Sequence, residues 1–91
     1  MSVTVRIPDS LRALTAGAAE VAAEATSVAE LFELLEARHP GLRSRVLDDR
    51  GVRRFVNVYV NEEDVRFSQG LATPLRAGDV VSVVPAIAGG A

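Results

Sequence analysis

A chain of 91 residues, 48% hydrophobic and with a net charge of −2, makes one small domain. It has no cysteine, which excludes a disulfide framework, a thiolate metal site and a catalytic thiol, and its acidic balance argues against a nucleic-acid partner. No apolar stretch is long enough to cross a bilayer, and the N-terminus lacks a signal peptide's basic-then-apolar pattern, so the expected location is the cytoplasm, away from membranes.

In chain order, Val3, Val5 and Ile7 alternate with Ser2, Thr4 and Arg6, which predicts a strand with one buried face. Pro8-Asp9-Ser10 ends it. Residues 11–17 are ambiguous, with Leu11 and Leu14 as anchors, and residues 18–25 are a weak second strand pairing back on the first. Ser27 is a good N-cap and Glu30 completes a capping box. Val28, Leu31, Phe32 and Leu35 then fall on one helical stripe, Arg38 and His39 suit its C-terminal end, and Pro40-Gly41 stops it. A shorter helical stretch follows at residues 42–47, and Asp48-Asp49-Arg50-Gly51 is a turn.

Residues 53–61 read as a strand, with Val56, Val58 and Val60 on one face and Phe55, Asn57 and Tyr59 on the other. Glu62-Glu63-Asp64 turns the chain, residues 65–67 read as a short edge strand, and residues 70–75 as a loop or single helical turn. Ala77-Gly78-Asp79 leads into the valine-rich final strand, residues 80–84, where Pro85 is expected to stop the pairing. This order implies an α+β fold, a mixed four- to five-stranded sheet with one main helix across one face. With the first and last strands central and parallel, it is the ubiquitin-like β-grasp arrangement. One helix leaves the other face of the sheet open. Phe55, Tyr59, Val80 and Val84 are then the expected partner-docking face.

The chemistry has few candidate locations. His39 is the only histidine, so it has no companions for a zinc site or a nucleophile triad. Glu62, Glu63 and Asp64 are adjacent in one solvated turn, unlike the opposed carboxylates of an acid–base pair. The glycines form no phosphate-binding motif, and the chain carries no enzyme active site. That leaves residues 86–91, Ala86-Ile87-Ala88-Gly89-Gly90-Ala91, expected as a flexible tail on a folded domain of residues 1–85. A frayed terminus is usually polar, whereas this tail is small and apolar, fit to enter a narrow channel in another protein. Extended, residues 85–90 reach roughly 20 Å, and Gly89 and Gly90 allow close approach of a partner's backbone and a nucleotide. All ten basic residues are arginine, so the chain has no side-chain amine that an activated carboxyl group could acylate.

The segment 54–61, with 64–67, 70–75, Gly78-Asp79 and Pro85-Ala86-Ile87-Ala88-Gly89-Gly90, resembles the ThiS/MoaD family of sulfur carriers. The nearest branch is the one serving thiocarboxylate-dependent cysteine biosynthesis. The likeness covers nearly the whole chain and is strongest after residue 53. It implies a protein co-substrate with no bound cofactor. Gly90 is adenylated by an E1-like adenylating and sulfurtransferase enzyme that uses ATP, is converted to a thiocarboxylate, and passes its sulfur to a biosynthetic enzyme. Gly89, Ala88, Ile87 and Ala86 would then be the tail residues that bind in the partner's channel. Ala91 departs from the pattern: either it is foreign to the native chain or a metalloprotease removes it. Three other readings stay open: a covalent protein modifier using the same glycine, a molybdopterin synthase small subunit, and a noncovalent docking subunit.

Overall fold

The computed structural model describes residues 2–85. Strand β1 (Val3–Arg6) and β2 (Glu20–Ala23) form an antiparallel pair. Helix α1 (Val28–Arg38) and the short α2 (Leu42–Val46) follow. A small hairpin, β3 (Leu47–Asp48) and β4 (Gly51–Val52), precedes β5 (Val56–Val60), β6 (Glu63–Asp64) and β7 (Val80–Pro85). The main sheet has the order β2-β1-β7-β5-β6, and β3-β4 stands apart from it. β1 and β7 are parallel, so the chain must cross over between them through α1, while β7 and β5 are antiparallel. This is the ubiquitin-like β-grasp fold, with five strands in the main sheet.

Alternation decides which face is covered. Val3, Val5, Val58, Val81 and Val83 point inward and are buried. The stripe of α1 predicted from spacing lies on them, with Val28, Leu31, Phe32 and Leu35 all fully buried. Each such side chain contributes about 1.5–3 kcal/mol of transfer free energy, which makes this contact the main source of stability. Leu42 and Val46 of α2 and Leu47 extend the same core.

The helix ends are held by side chains. Ser27 Oγ accepts from the Glu30 N–H at 3.2 Å. The reciprocal arm of the expected capping box is displaced: the Glu30 carboxylate accepts from the N–H of Thr26 at 2.7 Å and from its hydroxyl at 3.1 Å. Thr26 offers two donors to one oxygen. At the other end, His39 N–H donates to Leu35 O, and Gly41 turns the chain at φ 96°. The Glu36 carboxylate there accepts from the N–H groups of Gly41 and Arg43, which holds its pKa below the ordinary 4.5.

Four expectations are corrected. Residues 53–55 are not strand: Val56 N–H closes a turn on Arg53 O, and Arg66 donates to the carbonyls of both Arg53 and Val56. Phe55 therefore sits in a turn, not on a strand face. Residues 65–67 form a 3-10 turn, capped by Asp64, whose carboxylate accepts from Arg66 N–H at 2.8 Å. The edge strand is Glu63–Asp64 instead, joined to β5 through Asn61 and Glu62 at φ 50° and 75°. Pro85 belongs to β7, in register with Val56; lacking an N–H, it can still end a ladder through its carbonyl. The turn at Asp48 to Gly51 carries its own two-strand pairing, with Leu47 opposite Val52. The ambiguous segment after β1 is a 3-10 helix, Asp9–Thr15, which buries Leu11 and ends at Ala16 in the left-handed region.

Candidate functional site

The sequence places the chemistry at Gly90, with Gly89, Ala88, Ile87 and Ala86 behind it. All five lie outside the described residues 2–85. The structure does show what they are attached to. β7 is the middle strand of five, in register with three residues of β1 on one side and five of β5 on the other. Its last two residues, Val84 and Pro85, are exposed, directly after the buried Val83. The root of the tail is thus the most firmly paired strand in the sheet.

Two hollows flank that root. One, of about 320 Å³, lies between the end of β1 and Ser82, Val84 and Pro85. The other, of about 160 Å³, lies between Leu11, Val56, Val83 and Pro85. Both are lined largely by apolar side chains and prolines, which makes an apolar collar around Pro85.

The open face of the sheet can be read from the register. Tyr59 stands opposite Ser82, which neighbours Arg6, which neighbours Glu20. Asn57 stands opposite Val84, and Val80 beside Thr4. So Tyr59, Val80 and Val84 share the face that α1 does not cover. Tyr59 and Val80 are half-buried by their neighbours, whereas Val84 is 41% exposed. Arg6 and Glu20 pair loosely at 3.8 Å at one side, both well exposed. Asn57 accepts from Arg66 at 2.8 Å. Phe55, the fourth expected docking residue, is 52% exposed in the turn before β5, at the end of the sheet where β7 finishes. Arg54 stacks over its ring at 5.9 Å.

Sequence reading missed Phe67, which is 84% exposed. Assigning residues 65–67 to a strand hid it; the Asp64 side chain ahead of Val65 was the available signal of a capped turn. Together with Phe55 and Val84 it completes the large exposed hydrophobics among the described residues. Five carboxylates, those of Glu30, Glu36, Asp48, Asp64 and Asp79, accept from backbone N–H groups. Asp79 accepts from Asn61 and from Arg76 N–H, and Asp64 caps its turn. No group of three or more His, Cys, Asp or Glu among the described residues is placed to hold a metal ion. No helix among them is long and apolar enough to cross a membrane.

Comparison with known proteins adds to this geometry. The profile of the ThiS family matches residues 5–90. Over 93 residues the chain is 46% identical to the sulfur carrier protein CysO of Mycobacterium tuberculosis, covering 99% of this chain and 100% of that protein. It is 42% identical over 64 residues to small archaeal modifier protein 3 of Haloferax volcanii, 70% of each chain. Among solved structures, it matches a chain of the Amycolatopsis orientalis BexX/CysO complex with a TM-score of 0.91 and 45% identity, over 96% of this chain and 98% of that one.

Proposed function

This chain belongs to the ThiS family, and we propose that it is a sulfur carrier whose Gly90 carboxylate is adenylated and then converted to a thiocarboxylate. The observation that carries this reading is the full-length likeness to sulfur carrier proteins in a chain that holds Gly89-Gly90 in a small apolar tail. An E1-like enzyme supplies ATP. The carboxylate oxygen attacks the α-phosphate and pyrophosphate leaves; hydrosulfide, or a donor at the same oxidation level, then attacks the acyl carbon and AMP leaves, giving the thiocarboxylate. A terminal carboxylate, with a pKa of about 3.5, is ionised and ready at neutral pH. The thiocarboxylate passes its sulfur to a biosynthetic enzyme, with cysteine formation the favoured pathway. The open face carrying Tyr59, Val80 and Val84, with Phe55 at its end, is the docking surface for the activating enzyme.

The reaction needs the free carboxylate on Gly90, so Ala91 is removed first, by a metalloprotease on this reading. With Ala91 attached, the carboxylate sits about 3.3–3.6 Å beyond the reactive point. A misplacement near 1 Å already costs on the order of 100-fold. The test incubates chains ending at Gly90 and at Ala91 with the cognate activating enzyme, ATP and a sulfur source. Mass spectrometry is expected to find one carboxyl oxygen replaced by sulfur only in the first. Equal conversion of both overturns the assignment to Gly90.

The likeness to a small archaeal modifier protein favours one second reading, covalent attachment of Gly90 to lysines of other proteins. Adducts of this chain on blots from its native host would establish that reading.

A further inference from the structure

The chain is acidic overall, yet five of its ten arginines fall between residues 43 and 54, against only Asp48 and Asp49. The fold turns this run into a surface. α2, the β3-β4 hairpin and the two 3-10 turns after β6 enclose a groove of about 980 Å³, edged by Arg43, Arg50, Arg53 and Arg66, which outnumber the two carboxylates in its lining, Asp48 and Asp49. Its exposed lining is mostly polar, with the half-buried Leu71 as an apolar spot beside the buried Leu47 and Val65. α2 and the second of those turns pack on α1, which puts the groove on the helical side of the sheet. The open face stays free when the groove is filled.

The four guanidinium groups divide into two kinds. Arg53 Nε donates to Ser44 O at 2.7 Å, and Arg66 donates to Asn57 Oδ1 and to the carbonyls of Arg53 and Val56. Arg66 is fixed, with both terminal nitrogens spent on the fold, so it supplies positive potential without a fork that could clamp a phosphate. Arg53 is tethered through Nε alone, and its terminal nitrogens donate no hydrogen bond among the described residues. The side chains of Arg43 and Arg50 donate no hydrogen bond among the described residues, although Arg43 lies near the Glu36 carboxylate. No aromatic ring lines the groove, so a nucleotide base has nothing to stack on. Spread cations in excess of carboxylates, in a mostly polar groove, suit an extended chain bearing spaced carboxylates.

We propose that this groove docks an acidic segment of a partner protein, on a surface separate from the open sheet face. The assignment does not depend on sulfur chemistry at Gly90. A partner held there remains tethered while the tail and the open face are free to engage.

The test uses the full chain and a short fluorescein-labelled peptide alternating Glu with Ala and Leu, read by anisotropy at low and high salt. The peptide is expected to bind at low salt and to be released at high salt, as for exposed charges. The double variant Arg43→Glu, Arg50→Glu is expected to lose about tenfold or more in affinity. The variant Arg6→Glu, Arg76→Glu, off the groove, is expected to bind as the parent does. Amide shifts on titration of the parent chain should centre on residues 43–53, which locates the site even if a variant misfolds. Equal loss in both double variants, equal binding of a Gln-for-Glu peptide, or shifts centred on the open face would each overturn the proposal. So would tighter binding of a single-stranded RNA oligonucleotide that depends on Arg43 and Arg50.

Discussion

Val83 and Val84 are neighbours in β7, yet one is 5% exposed and the other 41%. The same substitution at each therefore separates docking from folding. A valine residue exposes roughly 150 Å² when extended, so the open portion of Val84 is roughly 60 Å². Covering it in an interface contributes about 1.5 kcal/mol. Val84→Asp forfeits that and places a carboxylate without a partner in the contact, for about 3 kcal/mol or more in total. Binding to the activating enzyme should weaken at least about 100-fold. The fold should lose only about 1 kcal/mol, since the side chain faces solvent opposite Asn57. Val83→Asp instead buries the charge in the core near Leu11 and should cost more than about 4 kcal/mol, enough to unfold much of a domain this small. Isothermal titration calorimetry reads the first effect and thermal melts followed by circular dichroism the second. Binding of Val84→Asp within about threefold of the parent would remove the open face as the dock. A melt of Val84→Asp as poor as that of Val83→Asp would mean the face is core.

Glu62 holds φ 75° in the hairpin loop after β5, where glycine is at ease. Glu62→Gly should stabilise the fold by about 0.5–1 kcal/mol, after allowing for the freer unfolded chain; a lower melting temperature would contradict the geometry. The Glu36 pKa is lowered chiefly by the Gly41 N–H and then by that of Arg43. Its contribution is complete above the ordinary value of 4.5 and is lost as pH falls through the lower folded value. Glu36→Gln should therefore flatten the fall in melting temperature between about pH 5 and pH 3, and an unchanged slope would show that the carboxylate does not hold the entry to α2.

Local signals made most of the fold legible. The α1 stripe, its Ser27 cap and its Pro40-Gly41 stop all lie within a few residues of what they determine. The alternation in β1 and β7 named the buried face residue by residue. What escaped was set from a distance. The alternation of β5 extends back to residue 53, but Arg66 reaches across to the carbonyls of Arg53 and Val56, the two ends of a turn. Val65-Arg66-Phe67 likewise has the composition of a strand, overridden by the Asp64 cap. The β3-β4 strands are two residues each, too short to show a period. For the site, composition singled out the Gly-Gly tail, while the arginine groove takes Arg43, Arg50 and Arg53 from one run but Arg66 from a turn that only the fold brings beside them.

The middle position of β7 also has a mechanical side. A partner that draws the tail into a channel pulls along the axis of this strand. To follow the pull, β7 would have to slide past β1 and β5 together, loading both hydrogen-bond ladders at once rather than opening them bond by bond. Single-molecule pulling between the N-terminus and the tail should therefore show one high-force rupture, whereas a series of small steps would mean that the strands peel. Tension applied at Pro85 is thus shared between the two ladders of β7.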